Sequence, residues 1–285
     1  MRFSINLPNF GDFADAAAVV TVARAAEEAG WDAVFVWDHV VHDKERRRGQ
    51  PFADPWMLLT AAALATTRVR LGPLVTPVAR RRPEQLARQV ATLDAISNGR
   101  VIFGAGLGGP IEDEFGSFGE PTDPVLLAEK LDEGLGLLQR YWSGERVDHE
   151  GPHYRVRDVT LLPATVQQPH PPIWVGGFWP NQRPFRRAAR YQGAVPLFKN
   201  ARHGEVPSTD DVRAVAAYLT RHRESDAAYD LVIGGATNPS DAASIIGPLA
   251  EAGATWWDER QLQTSENLHN LDAVLARVEA GPPVV

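Results

Sequence analysis

The chain has 285 residues, 44% hydrophobic and 23% charged, with no cysteine and a formal net charge of −7. Without thiols there is no disulfide framework, thiolate metal site or cysteine nucleophile, and an acidic chain has no general attraction for nucleic acid. The length suits one α/β barrel domain over residues 1–285, since such barrels typically need about 250 residues.

Hydrophobic period and turn residues divide the chain into alternating strands and helices. Phe3–Leu7 alternates and stops at Pro8. Ala16–Ala29 is amphipathic and closes at Gly30, the residue type that accepts a left-handed conformation after a helix end. Ala33–Trp37 is an apolar run too short for a helix. Asp54 as N-cap and Pro55 in the first turn announce a helix to Thr66. Val69–Val75 is the third strand, Pro83–Ile96 the next helix, and Val101–Ala105 the fourth strand. Pro124–Trp142 is a long helix. The polar stretch from Val147 to Leu162 turns at Gly151-Pro152 and predicts a hairpin inserted before the fifth strand, Ile173–Val175. There follow helix Phe185–Tyr191, strand Ala194–Phe198, helix Asp210–Arg223 and strand Leu231–Ile233. Helix Pro239–Ala252, strand Ala254–Trp257 and helix Asn267–Ala280 complete the order.

Eight strand–helix units in this order predict a parallel sheet and, at this length, a single (β/α)8 TIM barrel. A doubly wound open sheet is the less regular alternative. No window approaches the ~20 apolar residues that span a bilayer. Met1–Asn6 runs into strand pattern without the apolar core of a signal peptide. The expected address is the cytoplasm, with no nucleic-acid or membrane partner. Arg46-Arg47-Arg48, beside Asp43, Lys44 and Glu45, reads as a solvated loop; Arg80-Arg81-Arg82 precedes a helix and is placed to face an anionic ligand.

A barrel of this kind carries its site at the C-terminal strand ends, which selects the candidates. They are Asn6, Pro8 and Asn9; Asp38 and His39; Thr76 and Pro77; and the Gly104–Gly109 and Gly176–Pro180 stretches. Lys199, Asn200, Gly234, Gly235, Trp257, Asp258 and Glu259 follow the later strands. His39 is the proton-transfer candidate, because imidazole titrates near neutrality. Asp38 is its neighbour in an extended run, so its side chain leans to the other face and need not be what orients His39. Gly104-Ala-Gly-Leu-Gly-Gly109 spells G-x-G-x-x-G, but after the fourth strand rather than at the first turn of a dinucleotide fold. Gly176-Gly177 before a helix reads either as an anion site or as tight loop packing. His149 and His153 read as exposed, and no histidine–carboxylate set has metal-ligand spacing, so no metal is expected. Trp37, Trp56, Phe178, Trp179, Trp256 and Trp257 are available to wall a planar pocket. Trp256 and Trp257 face opposite sides of one strand, so at most one lines the lumen.

Several stretches carry a resemblance: Glu28-Ala-Gly-Trp-Asp-Ala-Val-Phe-Val-Trp-Asp-His39, Leu71–Pro77, Gln89–Arg100, Phe103–Gly108, Glu114-Phe-Gly-Ser-Phe-Gly119, Asp132–Glu145, and Pro163 with Gln168–Gly177. In this order over about residues 1–195, the set resembles the bacterial luciferase-like family of flavin-dependent oxidoreductases. That family includes reduced-FMN monooxygenases and enzymes of the deazaflavin coenzyme F420. The resemblance implies a flavin-type ring, of FMN or F420, held largely by backbone over the strand C-termini. It implies a non-prolyl cis bond at Leu74–Val75 or its neighbour. Cofactor contacts are then expected at Leu74, Val75, Thr76, Gly106, Gly108, Gly176, Gly177 and Phe178, the last three at the phosphate end. His39 and Asp38 are the expected catalytic residues, acting on a small-molecule substrate. A homodimer, supplied by a separate flavin or F420 reductase, is likewise implied.

The chain departs from the family at three points. Gly109 stands where related deazaflavin sugar-phosphate dehydrogenases carry a carboxylate, Arg81-Arg82-Pro83 where Arg-His-Pro is common, and Pro73 where many relatives have Thr. Monooxygenation and hydride transfer both fit. A non-catalytic flavin-binding protein or partner subunit is the alternative class. A phosphate-handling barrel isomerase would need a Lys or Glu base, and the only lysines are Lys44, Lys130 and Lys199.

Overall fold

The computed structural model describes residues 1–199, 201–261 and 266–284; Asn200, one of the rim candidates, lies outside them. In chain order the elements begin with β1 (Arg2–Leu7), α1 (Ala16–Ala29), β2 (Ala33–Val36), α2 (Pro55–Ala65), β3 (Arg70–Pro73), β4 (Thr76–Pro77), α3 (Pro83–Ile96) and β5 (Phe103–Gly106). Next come α4 (Ile111–Glu114), α5 (Pro124–Trp142), β6 (Arg146–Glu150), β7 (Arg155–Thr160), β8 (Ile173–Trp179) and α6 (Gln182–Ala188). The last are β9 (Gly193–Phe198), α7 (Thr209–His222), β10 (Asp230–Gly235), α8 (Ala242–Glu251), β11 (Trp256–Glu259) and α9 (Leu271–Glu279).

The large sheet runs β3-β2-β1-β11-β10-β9-β8-β5-β4. Of its two end members, β3 falls within the predicted third strand and β4 continues just beyond its expected end at Val75, the two parted at Leu74–Val75, so the ends of the sheet are one stretch of chain. Leu71 also bridges Val101 just ahead of β5, and the ring closes with eight strand positions, as the alternation predicts. Every pairing in the ring is parallel. The hairpin before the fifth barrel strand is the antiparallel pair β6–β7. It is anchored on α5, because His149 meets Glu133 at 2.7 Å and His153 meets Glu129 at 3.1 Å. Those two histidines are thus partly covered and paired, not exposed as the turn sequence suggested.

Local signals place the helices. The side chains of Asp15, Asp54 and Asp123 accept backbone N–H groups at the starts of α1, α2 and α5, and Gly30 closes α1 at φ +95°. Boundaries shift where tertiary pairing overrides them. β8 continues through Gly176-Gly177 to Trp179 because each residue there pairs with β9, so α6 begins at Gln182 rather than Phe185. β11 extends to Glu259 because its two carboxylates are buried and hydrogen-bonded. α9 begins at Leu271, after a 3-10 turn and with Asn270 as cap, rather than at Asn267.

The lumen is filled rather than open. Phe35, Leu74, Ile102, Trp174 and Trp256 pack there together with smaller residues, with Trp174 and Trp256 ring centres 5.1 Å apart. Trp257 belongs to the layer between strands and helices, as alternation along β11 requires. Among the described residues the waist of the barrel is plugged, so any space along its axis lies at the mouths. No helix among the described residues is long and apolar enough to cross a membrane.

Candidate active site at the barrel mouth

Asp38 and His39 follow β2 at the C-terminal rim, and their side chains go separate ways. Asp38 is 2% exposed. It accepts from Thr76 Oγ1 at 2.8 Å, from Arg81 at 2.9–3.2 Å, and from Arg80 Nη2. Arg80 also donates to the Asp38 carbonyl at 3.0 Å and, through Nη1, to Glu114 Oε2. Glu114 ends α4; its other oxygen lies 2.8 Å from His39 Nδ1. Val40 N donates to Glu114 Oε2 at 3.3 Å. Asn9 pins the His39 backbone from the other side, donating to its carbonyl at 2.7 Å.

In the second basic triplet, Arg80 and Arg81 are engaged by buried protein carboxylates rather than held open for an anionic ligand, and Arg82 is 83% exposed. In the first triplet, Arg46 and Arg48 are exposed as expected, whereas Arg47 is buried and stacks 4.1 Å over Phe10.

An aromatic wall stands beside His39. Trp37 lies edge-on to His203 with ring centres 4.5 Å apart, and His39 lies 4.4 Å from His42. Phe10 meets Trp37 at 5.8 Å. Trp37 Nε1 donates to Asn6 Oδ1, and Asn6 Nδ2 donates to Asp258 at 2.9 Å. Ser4 Oγ and Arg260 Nε also donate to Asp258, at 2.8 and 2.7 Å, so this buried carboxylate holds the floor of the wall. Burial, aided by His39 and Arg47, pushes the His42 imidazole down to about 4. Burial, aided by Arg260, holds His203 well below its ordinary range.

Those two shifts carry a stability prediction. An imidazole whose folded pKa is depressed contributes fully above its unfolded pKa, about 6.5. That contribution is lost as pH falls toward the folded value of about 4 for His42. The loss is at most about 1.4 kcal/mol per pH unit per histidine. The urea midpoint is therefore expected to be lower at pH 5 than at pH 7.5, with a smaller drop in His42→Phe; equal drops in the two proteins would contradict the assignment.

The residues expected to meet a cofactor fall into two groups. The Leu74–Val75 bond is cis, at the position the resemblance implies. Val75 sits between Gly106 and Gly176: a Cβ added to either glycine would lie 2.6 or 3.0 Å from its methyl groups. Gly108, at φ +81°, packs on Pro77, and Gly177 packs on Pro184. Thr76 is fully buried, its hydroxyl spent on Asp38. Gly176-Gly177 lie inside β8, five residues before α6, which corrects the idea of a helix N-terminus at this point. Phe178 is 54% exposed at the rim. Trp56, Trp256 and Trp257 are core residues, 0–1% exposed, and Trp179 turns toward Phe185 and Tyr218.

These residues fit a flavin-type group. A tricyclic ring needs a flat ledge with few protruding side chains. Here the glycines of β5 and β8 leave Val75 as a branched side chain standing between them, partly exposed at the mouth. The hydrogen bond from Thr76 to Asp38 ties that ledge to the rim segment that carries His39.

The closed ring and its mouth define a (β/α)8 protein with an imidazole set on a buried ion cluster. Residues 1–244 match the family described as luciferase-like monooxygenase, and the chain belongs to that family. The F420-dependent glucose-6-phosphate dehydrogenase of Intrasporangium calvum is 35% identical over 171 residues, which cover 59% of this chain and 48% of the relative. The chain thus spans about half the length of the curated relatives it matches. Two solved structures share the fold. The coenzyme F420 dependent tetrahydromethanopterin reductase of Methanopyrus kandleri has a TM-score of 0.76 at 15% identity, covering 98% of both chains. Monooxygenase RslO1 of Streptomyces bottropensis has a TM-score of 0.74 at 21% identity, covering 98% of this chain and 97% of its own.

Proposed function

We propose that the protein is an oxidoreductase that uses a flavin-type cofactor, F420 or FMN, on a small organic substrate, with His39 moving the accompanying proton. The observation that carries this reading is the His39 imidazole, anchored through Nδ1 on buried Glu114 and tied through Asp38 and Thr76 to the Val75 ledge. When bound, the cofactor supplies the hydride and, in the case of FMN, the reaction with dioxygen. The chain's own residues do the rest. Leu74, Val75, Gly106, Gly108, Gly176, Gly177 and Phe178 form the ledge and its rim. Asp38 holds Thr76 and the two arginines beneath it, while Trp37, Phe10 and His203 keep water from the imidazole side.

The identity with F420-dependent relatives supports F420 as the first cofactor to test. A sugar phosphate is a poorer fit than a neutral substrate. The guanidiniums of Arg80, Arg81 and Arg260 are spent on Asp38, Glu114 and Asp258, and Gly109 stands where sugar-phosphate relatives carry a carboxylate. A homodimer is supported by α2, whose Met57 and Leu64 are 60% and 74% exposed on one outward face. A cytoplasmic setting and a separate reductase complete the reading.

The test is a binding titration of the purified protein with F420, reduced F420, FMN and reduced FMN. Selective binding of F420 in either redox state is the expected result. Binding of reduced FMN alone would move the reaction to monooxygenation. Binding of none of the four would overturn the oxidoreductase reading and leave a barrel without its cofactor.

A further inference from the structure

We propose that Glu114 is the positioning residue of the site: its buried carboxylate holds the proton on His39 Nδ1 and so reserves Nε2 for proton exchange with the substrate. This rests on the reading of His39 as the proton-transfer group. The hydrogen bonds dictate the tautomer. Glu114 Oε2 accepts from Arg80 Nη1 and from Val40 N, so the group is engaged as a carboxylate and can only accept. Its Oε1 lies 2.8 Å from His39 Nδ1. A lone pair on that nitrogen would face a carboxylate oxygen at hydrogen-bond distance, which is repulsive; a proton there is attractive. Nδ1 therefore carries a hydrogen, and Nε2, without a hydrogen-bond partner among the described residues, is the nitrogen left open to a ligand.

The surrounding charges make Glu114 available for this task. Two carboxylates, Asp38 and Glu114, face two guanidiniums, Arg80 and Arg81, with Arg80 shared between both acids. That balance is complete without the imidazole. Glu114 itself is wholly buried, whereas the His39 side chain keeps 18% of its surface. One end of the pair is thus locked in protein and the other open to a ligand. Asp38, the sequence neighbour, has all its hydrogen bonds directed to Thr76, Arg80 and Arg81 and orients those residues instead. In proteins, the group bound to one ring nitrogen decides which nitrogen does chemistry.

The experiment is two-bond 1H–15N NMR on histidine-labelled, cofactor-free protein at pH 7.5, with the His39 signals assigned by their loss in His39→Gln. The expected spectrum has a protonated Nδ1 and an unprotonated Nε2; the opposite tautomer overturns the proposal, with no variant needed. In Glu114→Gln the amide can both donate and accept, so His39 is expected to populate both tautomers. Glu114→Asp, which keeps the carboxylate, should restore the single form. Oxidation of reduced F420 by a panel of neutral carbonyl compounds supplies the second readout. There kcat should fall about tenfold or more in Glu114→Gln, with KM within about twofold, and recover in Glu114→Asp. An unchanged kcat in a folded Glu114→Gln protein would also overturn the positioning role. Should His39→Gln itself leave turnover intact while the tautomer is as expected, the failure belongs to the proton-transfer reading and not to the Glu114–His39 geometry.

Discussion

Replacing His39 by Gln is expected to lower turnover by roughly 10²- to 10⁴-fold, the usual contribution of a general acid–base group, while cofactor affinity changes by no more than a few-fold. The separation follows from placement. His39 stands over the β2 end of the rim with one nitrogen on Glu114, whereas the ledge residues belong to β4, β5 and β8 and their connections. Gln keeps a polar group of similar reach next to Glu114, so the Glu114–Arg80 pair survives and folding is not the variable. Steady-state kinetics beside a cofactor titration of the same variant provides the check. Equal loss of binding and turnover would show that His39 holds the cofactor rather than moving a proton.

The Asp38→Ala variant is expected to lose about 3–5 kcal/mol of stability, the range found when one partner of a buried ion pair is removed. Arg80 and Arg81 are 9% and 16% exposed, and both would lose Asp38 at once, leaving Arg80 with Glu114 and Arg81 with Asp54 at 3.8 Å. Thr76 Oγ1 would lose its acceptor in the same step. For a chain of this length the melting temperature should drop by roughly 10 °C. Denaturant unfolding with an unchanged m-value measures it. A loss below about 1 kcal/mol would mean that the two arginines find water or other acceptors, and the account of the cluster would be wrong. A loss of that size would assign Asp38 the bracing of the rim rather than a part in the proposed proton transfer.

Much of the barrel is legible in the residues because the signals are local. The caps Asp15, Asp54 and Asp123 and the closing Gly30 act within a few residues of the helices they bound. The short apolar runs at Ala33–Val36 and Ile173–Val175 are buried throughout, and the hairpin announced by Gly151-Pro152 forms where it was placed. His39 is legible too, because rank order along a barrel sends the ends of its strands to one rim. The errors are informative. Gly176-Gly177 reads as a stop, yet β9 alongside keeps it extended. Asp258 and Glu259 read as residues following the last strand, yet Ser4, Asn6, Thr237 and Arg277 donate to them from far along the chain, with Arg260 beside them.

The identity of the residue that orients His39 was beyond local reading. Glu114 lies 75 positions away, in a stretch visible only as part of a family pattern, and nothing in its neighbours marks it as a partner for an imidazole. Arg80 and Arg81 looked available for an anion because their carboxylates sit in other loops. Which tryptophan of the Trp256-Trp257 pair fills the lumen was likewise open until the register was set. By itself, then, the sequence determined the number and order of the barrel strands, the rim proposed to carry the chemistry and the histidine that stands there, because hydrophobic period, caps and turns are decided over a few residues. Closure of the ring decided the rest. Only when β1 meets β11 and the broken third strand meets β5 do the loops converge, and the buried charges must then choose partners from opposite sides of the barrel.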